Sequence, residues 1–328
     1  MRGNSSMNFA TVGTSWITES FIRSGYLLDS FNLYSVYSRD ASRAEAFALK
    51  NGAKKSFCDY DEMLTDDNID AVYIASPNSL HFEQSMNALK HSKHVLCEKP
   101  AAVTPEQLVT LHNTAKENGV LFVEAIKSLH ADALSKLREA VGLCGNIRSA
   151  SIDFSQLSSK YKALKNGEVP NIFNPEFCTG GLMDLGVYNI YVAVELFGKP
   201  ERIVSHCDFL PTGADHSGTI LFIYNDKTVT LTYSKVGQSF APSQIFGDEG
   251  TVTFASCSKL TDIKLYKNKE CTEIYPAIDE NVVMSMEIRD FIDFANGEHL
   301  DFYNECLDMS MTLCSLMYEI RKQNNFRF

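Results

Sequence analysis

Lys99, Asp184 and Tyr188 are side chains of the kind, and in the company, that can move a proton. Lys99 ends an apolar run in "HVLCEKPAAV" (94–103), which exits through Glu98 and Lys99 straight into Pro100. The residue before a proline is pushed into extended geometry, so Lys99 has less freedom than a surface lysine. Asp184 and Tyr188 stand four apart in "TGGLMDLGVYNIYVAVELFGKP" (179–200). On a helix opened by the glycine pair and closed by Gly198 and Pro200, that spacing puts an acid and a phenol on one face. An acid and a phenol projecting together beside a glycine-rich entry can serve as a proton-handling pair. Each also has a plainer reading: a strand ending in a polar turn, and an Asp–Tyr hydrogen bond that only orders a helix.

Other residues suit a phosphate-bearing cofactor. "FATVGTSWITESF" (9–21) runs from strand through a glycine turn into a helix, whose free N–H groups can hold a pyrophosphate. The fingerprint is partial. Gly13 takes the first glycine position, Ser15 and Thr18 stand at the second and third, and Thr14, Trp16 and Ile17 complete the loop. A plain strand-to-helix turn is the alternative. The second strand ends in Ser38-Arg39, with Arg43 one helical turn on, where NAD enzymes usually place an acid. A hydroxyl and a guanidinium suit a 2′-phosphate, so NADP is the expected cofactor and NAD the alternative. Against this stands a solvated arginine, and Asp40 is placed to cap the next helix. Ser76-Pro77-Asn78 leaves a later strand for a helix carrying His81, at the strand ends where such sheets bind ligands. A lone histidine there is more often structural than catalytic.

The elements that must position these residues follow two rhythms. Up to about residue 126, short runs such as Phe9–Val12, Leu33–Tyr37, Ala71–Ala75, His94–Cys97 and Val120–Val123 alternate with helical patterns. That alternation predicts a doubly wound parallel sheet over 7–126. Thr104-Pro105-Glu106-Gln107 places a capping threonine, a proline at the first helical position and a glutamine able to reach back. From 127 to 328 the pattern becomes α+β. "TILFIYNDKTVTLTYS" (219–234) reads as a hairpin with Val229, Leu231 and Tyr233 on one face and Thr228, Thr230, Thr232 and Ser234 on the other. Helical patterns near Val282–Ala295 and Tyr303–Lys322 close the chain.

Bulk composition narrows the classes. A chain of 328 residues is long for one core, and 45% hydrophobic with 22% charged residues is ordinary for a globular protein. A net charge of -11 offers no basic stripe for nucleic acid. Nine scattered cysteines without a CxxC pair fit a reducing, cytoplasmic setting with thiols used as small apolar residues, Cys97 and Cys178 included. No metal-ligand pattern is expected. Nor is a membrane span of about 20 apolar residues, or a secretory leader. The opening "MRGNSS" reads as a start-site extension outside the fold.

In combination, "HVLCEKP", "GGLMDLGVY" and, more loosely, "VGTSWIT" resemble the Gfo/Idh/MocA oxidoreductases, from Met7 onward. The resemblance implies a Rossmann-type domain followed by an α+β domain with a large, mostly antiparallel open sheet used for subunit contacts in a homodimer or higher oligomer. It assigns Lys99 to substrate and nicotinamide, with Glu98 beside it, and makes Asp184 an orienting acid. It makes Arg39 a 2′-phosphate ligand. Tyr188 stands where many members have histidine, as in the branch containing dimeric dihydrodiol dehydrogenase and aldose 1-dehydrogenases, where tyrosine is the acid/base. An ammonium at Lys99 would ease loss of the Tyr188 proton and hydrogen-bond the reacting oxygen. The implied activity is NADP(H)-dependent hydride transfer at a sugar, polyol or related small molecule. A nucleotide-sensing regulator on the same scaffold is the alternative. Substrate-choosing residues fall in 127–133 and 155–177, with Lys127, Lys160 and Tyr161 as candidates.

Overall fold

The computed structural model describes residues 6–328, so the first five residues of the "MRGNSS" extension lie outside the described residues. The chain opens with β1 (Met7–Val12), α1 (Trp16–Gly25), β2 (Phe31–Tyr37), α2 (Ala41–Asn51), β3 (Lys55–Phe57) and α3 (Tyr60–Leu64). It continues with β4 (Ala71–Ile74), α4 (Asn78–Lys90), β5 (His94–Glu98), α5 (Pro105–Glu117) and β6 (Phe122–Ala125). The six strands form one parallel sheet in the order β3-β2-β1-β4-β5-β6. The order reverses between β1 and β4, the switch point where doubly wound sheets bind ligands. β3 leaves no trace in the sequence pattern, because two of its three residues are exposed and carry no period.

Helix starts are set by local chemistry. Asp40 caps α2, its carboxylate accepting the Arg43 N–H at 2.9 Å. Thr104 caps α5 by accepting the Gln107 N–H at 3.3 Å, while the Gln107 side chain accepts from the Val103 N–H at 3.1 Å. The threonine cap is the one the spacing predicts, and the glutamine reaches back as expected but to the amide one residue before the cap.

Next come α6 (Asp132–Gly142), β7 (Ile147–Ser155), α7 (Tyr161–Lys165), a π turn over Leu182–Gly186 and α8 (Val187–Phe197). Strands β8 (Arg202–Phe209), β9 (Asp215–Ile223), β10 (Thr228–Ser234) and β11 (Ser243–Gly247) follow, then β12 (Thr251–Phe254), β13 (Ile263–Lys267) and β14 (Glu270–Tyr275). Helices α9 (Glu280–Ala295) and α10 (Leu300–Gln323) finish the chain. The second sheet has eight strands in the order β14-β13-β12-β11-β7-β10-β9-β8. It is antiparallel except where β7 pairs with β10.

The chain falls into two compact units. One runs through His130 and includes Asp279–Met311; the other is Ala131–Ile278 with Thr312–Phe328. A single cut after residue 126 therefore misses the return of α9 to the first unit. The reason is apolar. Phe9 stacks on Phe31 at 5.0 Å, meets Phe21 edge-on at 5.6 Å and contacts Phe291 of α9 at 5.9 Å. Phe9, Phe21 and Phe291 are fully buried, each worth about 1.5–3 kcal/mol of transfer energy. Without α9, with its buried Val283, Met284, Ile288, Phe291 and Ile292, the aromatics of β1 and α1 would lose their cover.

In the second unit Val229, Leu231 and Tyr233 are buried and their neighbours on β10 are not, as the alternation predicts. Helix α8, buried over most of its length, packs on β10 and β7. One stretch corrects the sequence reading: Pro175–Phe197 is long and apolar enough, by length and composition, to cross a membrane. Its most apolar window is mostly buried within the protein, so its apolar character is that of a core helix.

Candidate active site

The first unit gathers the nucleotide-type residues at the carboxyl ends of β1, β2, β4 and β5. Gly13 leaves β1 with φ +105°, a conformation that favours glycine. A Cβ there would lie 2.7 Å from the Ala75 carbonyl oxygen, so the turn brings the β1 and β4 loops into backbone contact. Ser15 occupies the N-cap of α1 in extended geometry, and its hydroxyl makes no capping bond. The first-turn N–H groups of Trp16, Ile17 and Thr18 have no acceptor within the helix, which suits a pyrophosphate. Trp16 is 68% exposed beside them, whereas Thr18 is buried where a glycine would otherwise allow close helix–sheet packing. Thr14 is half-buried; Arg39 and Arg43 are exposed at and just beyond the β2 tip. Asp40 is spent on its helix cap, and the Ser38 hydroxyl accepts the Asp40 N–H at 3.4 Å. The residues present therefore fit a dinucleotide with a 2′-phosphate.

The β5 exit is heavily braced. The Lys99–Pro100 peptide is cis, and Lys99 is half-buried. After it, the Ala101 N–H donates to Glu124 of β6 at 2.8 Å, and the Ser310 hydroxyl donates to the same carboxylate. Burial raises the Glu124 carboxyl, and those two hydrogen bonds oppose the rise. His81 is 1% exposed, with its ring nitrogens 2.9 Å from the Pro100 carbonyl and 2.8 Å from the Ser76 carbonyl. Burial pulls its pKa down. Expected among the nucleotide contacts, His81 instead ties the β4 loop to the β5 loop from the inner face of α4. Ser76 is tied as well, donating to Gln84 at 2.6 Å, while Pro77 and Asn78 open α4 beside it. Glu98 accepts the Tyr73 hydroxyl at 2.6 Å, so its carboxylate is part of this frame.

In the second unit Asp184 lies within the π turn and Tyr188 in the first turn of α8, both half-buried. The four-residue spacing thus spans a wider turn than the regular helix assumed from sequence; π turns of this kind recur at functional sites. The Asp184 carboxylate pairs with the ammonium of Lys235, a residue 6% exposed just past β10. The Tyr188 ring meets Phe154 edge-on at 5.8 Å. Asp215, 0% exposed on β9, accepts the Leu182 N–H at 2.7 Å where the π turn begins.

Sequence reasoning missed Lys235, Asp215 and Glu287. Lys235 ends the alternating strand β10, and a lysine closing such a strand is a usable though weak signal. Asp215 and Glu287 left none, because their importance comes from burial. Glu287 on α9 is 1% exposed, and burial first and the Glu98 charge second push its carboxyl well above the ordinary range. Of the substrate candidates, Lys127 is buried and paired with Glu280, while Lys160 is exposed just before α7 and Tyr161 is half-buried at its start.

Residues 7–125 match the family described as "Oxidoreductase family, NAD-binding Rossmann fold", and residues 135–253 match the Gfo/Idh/MocA C-terminal domain. The chain is 37% identical over 97% of its length, and 97% of the relative's, to scyllo-inositol 2-dehydrogenase (NADP(+)) of Bacillus subtilis. It is 32% identical to trans-1,2-dihydrobenzene-1,2-diol dehydrogenase of Mus musculus, over 58% of this chain and 56% of that one. A 3-ketoreductase from Actinomadura kijaniata, solved with NADP, shares the fold with a TM-score of 0.83 at 22% identity, each chain covered to 98%. Motifs, fold and whole-length similarity converge, and the chain belongs to the Gfo/Idh/MocA family of oxidoreductases.

Proposed function

We propose that the chain is an NADP(H)-dependent dehydrogenase or reductase acting on a hydroxyl or carbonyl carbon of a polyol or sugar. The observation that carries this reading is similarity along 97% of the chain to an NADP(+)-dependent inositol dehydrogenase. Gly13 and the first turn of α1 hold the pyrophosphate, and Ser38, Arg39 and Arg43 take the 2′-phosphate. The bound nicotinamide supplies or accepts the hydride. Lys99 donates a hydrogen bond to the reacting oxygen, Tyr188 carries the proton, and Asp184, held by Lys235, orients the substrate hydroxyl. Lysine, aspartate and tyrosine are all present, which favours catalysis over a purely sensing role. Nine free thiols fit a cytoplasmic setting.

The test is turnover with NADP(+) against scyllo-inositol, other cyclic polyols and aldoses, and with NADPH against the matching ketones. Tight NADP(H) binding with no turnover on any of them would overturn the reading in favour of a sensor. The cofactor preference has its own check. Arg39→Ala should weaken NADP(H) by roughly 10- to 100-fold, the equivalent of about 1.5–3 kcal/mol for a charge-assisted contact, and leave NAD(H) nearly unchanged. Equal weakening of both by calorimetry would make Arg39 structural.

The family resemblance also points to a homo-oligomer built on the eight-stranded sheet. Light scattering at low micromolar concentration should show a multiple of 36.7 kDa; a species of that single mass would count against it.

A further inference from the structure

The glycine pair at the head of the π turn has a physical cause that its motif does not announce. A Cβ on Gly180 would run into the Asp215 carboxylate, and one on Gly181 would lie 2.6 Å from the Tyr233 ring. Asp215 and Tyr233 therefore press directly on the turn that carries Asp184. The Asp215 Oδ2 accepts both the Leu182 N–H at 2.7 Å and the Tyr233 O–H at 2.8 Å. Beside them on the same strand pair, the Lys235 N–H donates to the His216 carbonyl at 2.7 Å, and the Lys235 ammonium reaches Asp184. One end of the β9–β10 pair thus holds the π turn at two points: its first amide and its acid.

We propose that Asp215 and Tyr233 are a buried positioning pair that fixes the π turn through the Leu182 N–H and so holds Asp184 against Lys235 in its working orientation. The role rests on Asp184 as the substrate-orienting acid. A carboxylate accepts an amide hydrogen bond roughly twice as strongly as a neutral acceptor, so the hold depends on Asp215 being ionised. Burial pushes the Asp215 carboxyl up to about 6, with the Leu182 and Tyr233 hydrogen bonds opposing the rise. Of the groups facing it, burial drives Tyr233 well above 10 and Cys207 of β8, 3.2 Å from the Tyr233 hydroxyl, to about 12. Neither changes charge near neutrality. Asp208 lies next to Cys207, the Asp184–Lys235 pair lies on the turn side, and His216, next along β9, has its Nδ1 2.9 Å from the Ser217 hydroxyl.

In this reading kcat falls on the acid side with a midpoint near 6, while NADP(H) affinity does not follow it. Tyr233→Phe keeps the ring that packs on the glycines and removes one donor to Asp215, so the limb moves to higher pH. Asp215→Ala should lose up to about 10²-fold in kcat, and Asp215→Asn, which keeps an acceptor, should recover part of it without the limb. His216→Gln should leave the limb in place. The Leu182 amide, followed by NMR against pH, should titrate with the same midpoint and shift upward in Tyr233→Phe. A limb unmoved by Tyr233→Phe, a limb abolished by His216→Gln, or a Leu182 amide silent through that range would overturn the proposal. If no substrate turns over, the dehydrogenase reading is what fails, and the Leu182 titration still decides the pair.

Discussion

Tyr188→Phe is expected to bind NADP(H) normally and to lose about 10²–10⁴-fold in turnover, the usual contribution of a general acid–base group. The substitution is clean because the ring meets Phe154 edge-on, and phenylalanine keeps that contact while losing only the hydroxyl. Lys99→Met should lose at least as much, removing a charge that favours the phenolate and a hydrogen bond to substrate. The double variant should be little worse than either single one, because residues acting as one unit fail together. Asp184→Asn, which keeps an acceptor for Lys235, should lose less. Steady-state rates beside cofactor titrations make the check. An unchanged rate in Tyr188→Phe would move the proton to Lys99 and leave Tyr188 as packing.

Gly13→Ala should be the most damaging small substitution in the first unit. The added carbon would sit 2.7 Å from the Ala75 carbonyl oxygen at a residue whose φ is +105°. A strained backbone of this kind costs about 1–3 kcal/mol, and overpacking against a fixed neighbour costs a similar amount. That is a large part of the 5–15 kcal/mol typical of a whole domain. Two readouts should fall together: the melting temperature, and NADP(H) affinity, since the same turn presents the first amides of α1. A variant that melts and binds like the parent would mean that the β1 turn relaxes freely and does not shape the phosphate site.

Local chemistry was readable in the sequence; contacts between distant segments were not. Thr104 and Gln107 announce their helix because every partner lies within a few residues. The alternation from Thr228 to Ser234 announces a half-covered strand for the same reason. The Ser38-Arg39 tip and the Lys99-Pro100 exit were legible as unusual residue types at strand ends. The π turn was not, since the groups that bond Leu182–Gly186, Asp215 to the Leu182 N–H and Lys235 to Asp184, arrive from far along the chain. His81 illustrates the converse. Its place one turn into α4 left a ligand contact open beside a structural role, and the ring meets two carbonyls, that of nearby Ser76 and that of Pro100, which only the fold of the β5 exit brings to it.

The place of β7 in its sheet bears on the order in which that sheet can be assembled. Strands β8 to β10 form one antiparallel run of neighbours, β11 to β14 form another, and β7 is the only strand joining them. Its parallel partner begins with Thr228 opposite Ser149, and its antiparallel partner places Ile245 opposite Ala150. Each run can zip from nearby contacts, whereas β7 leaves the ribosome before either partner and must wait for both. Closing so long a loop costs entropy before any strand pairing offsets it. The first strand of this sheet to be synthesised thus depends on partners made much later, and until β7 is seated between β10 and β11 each of the two half-sheets carries an open edge of the kind other chains can pair with.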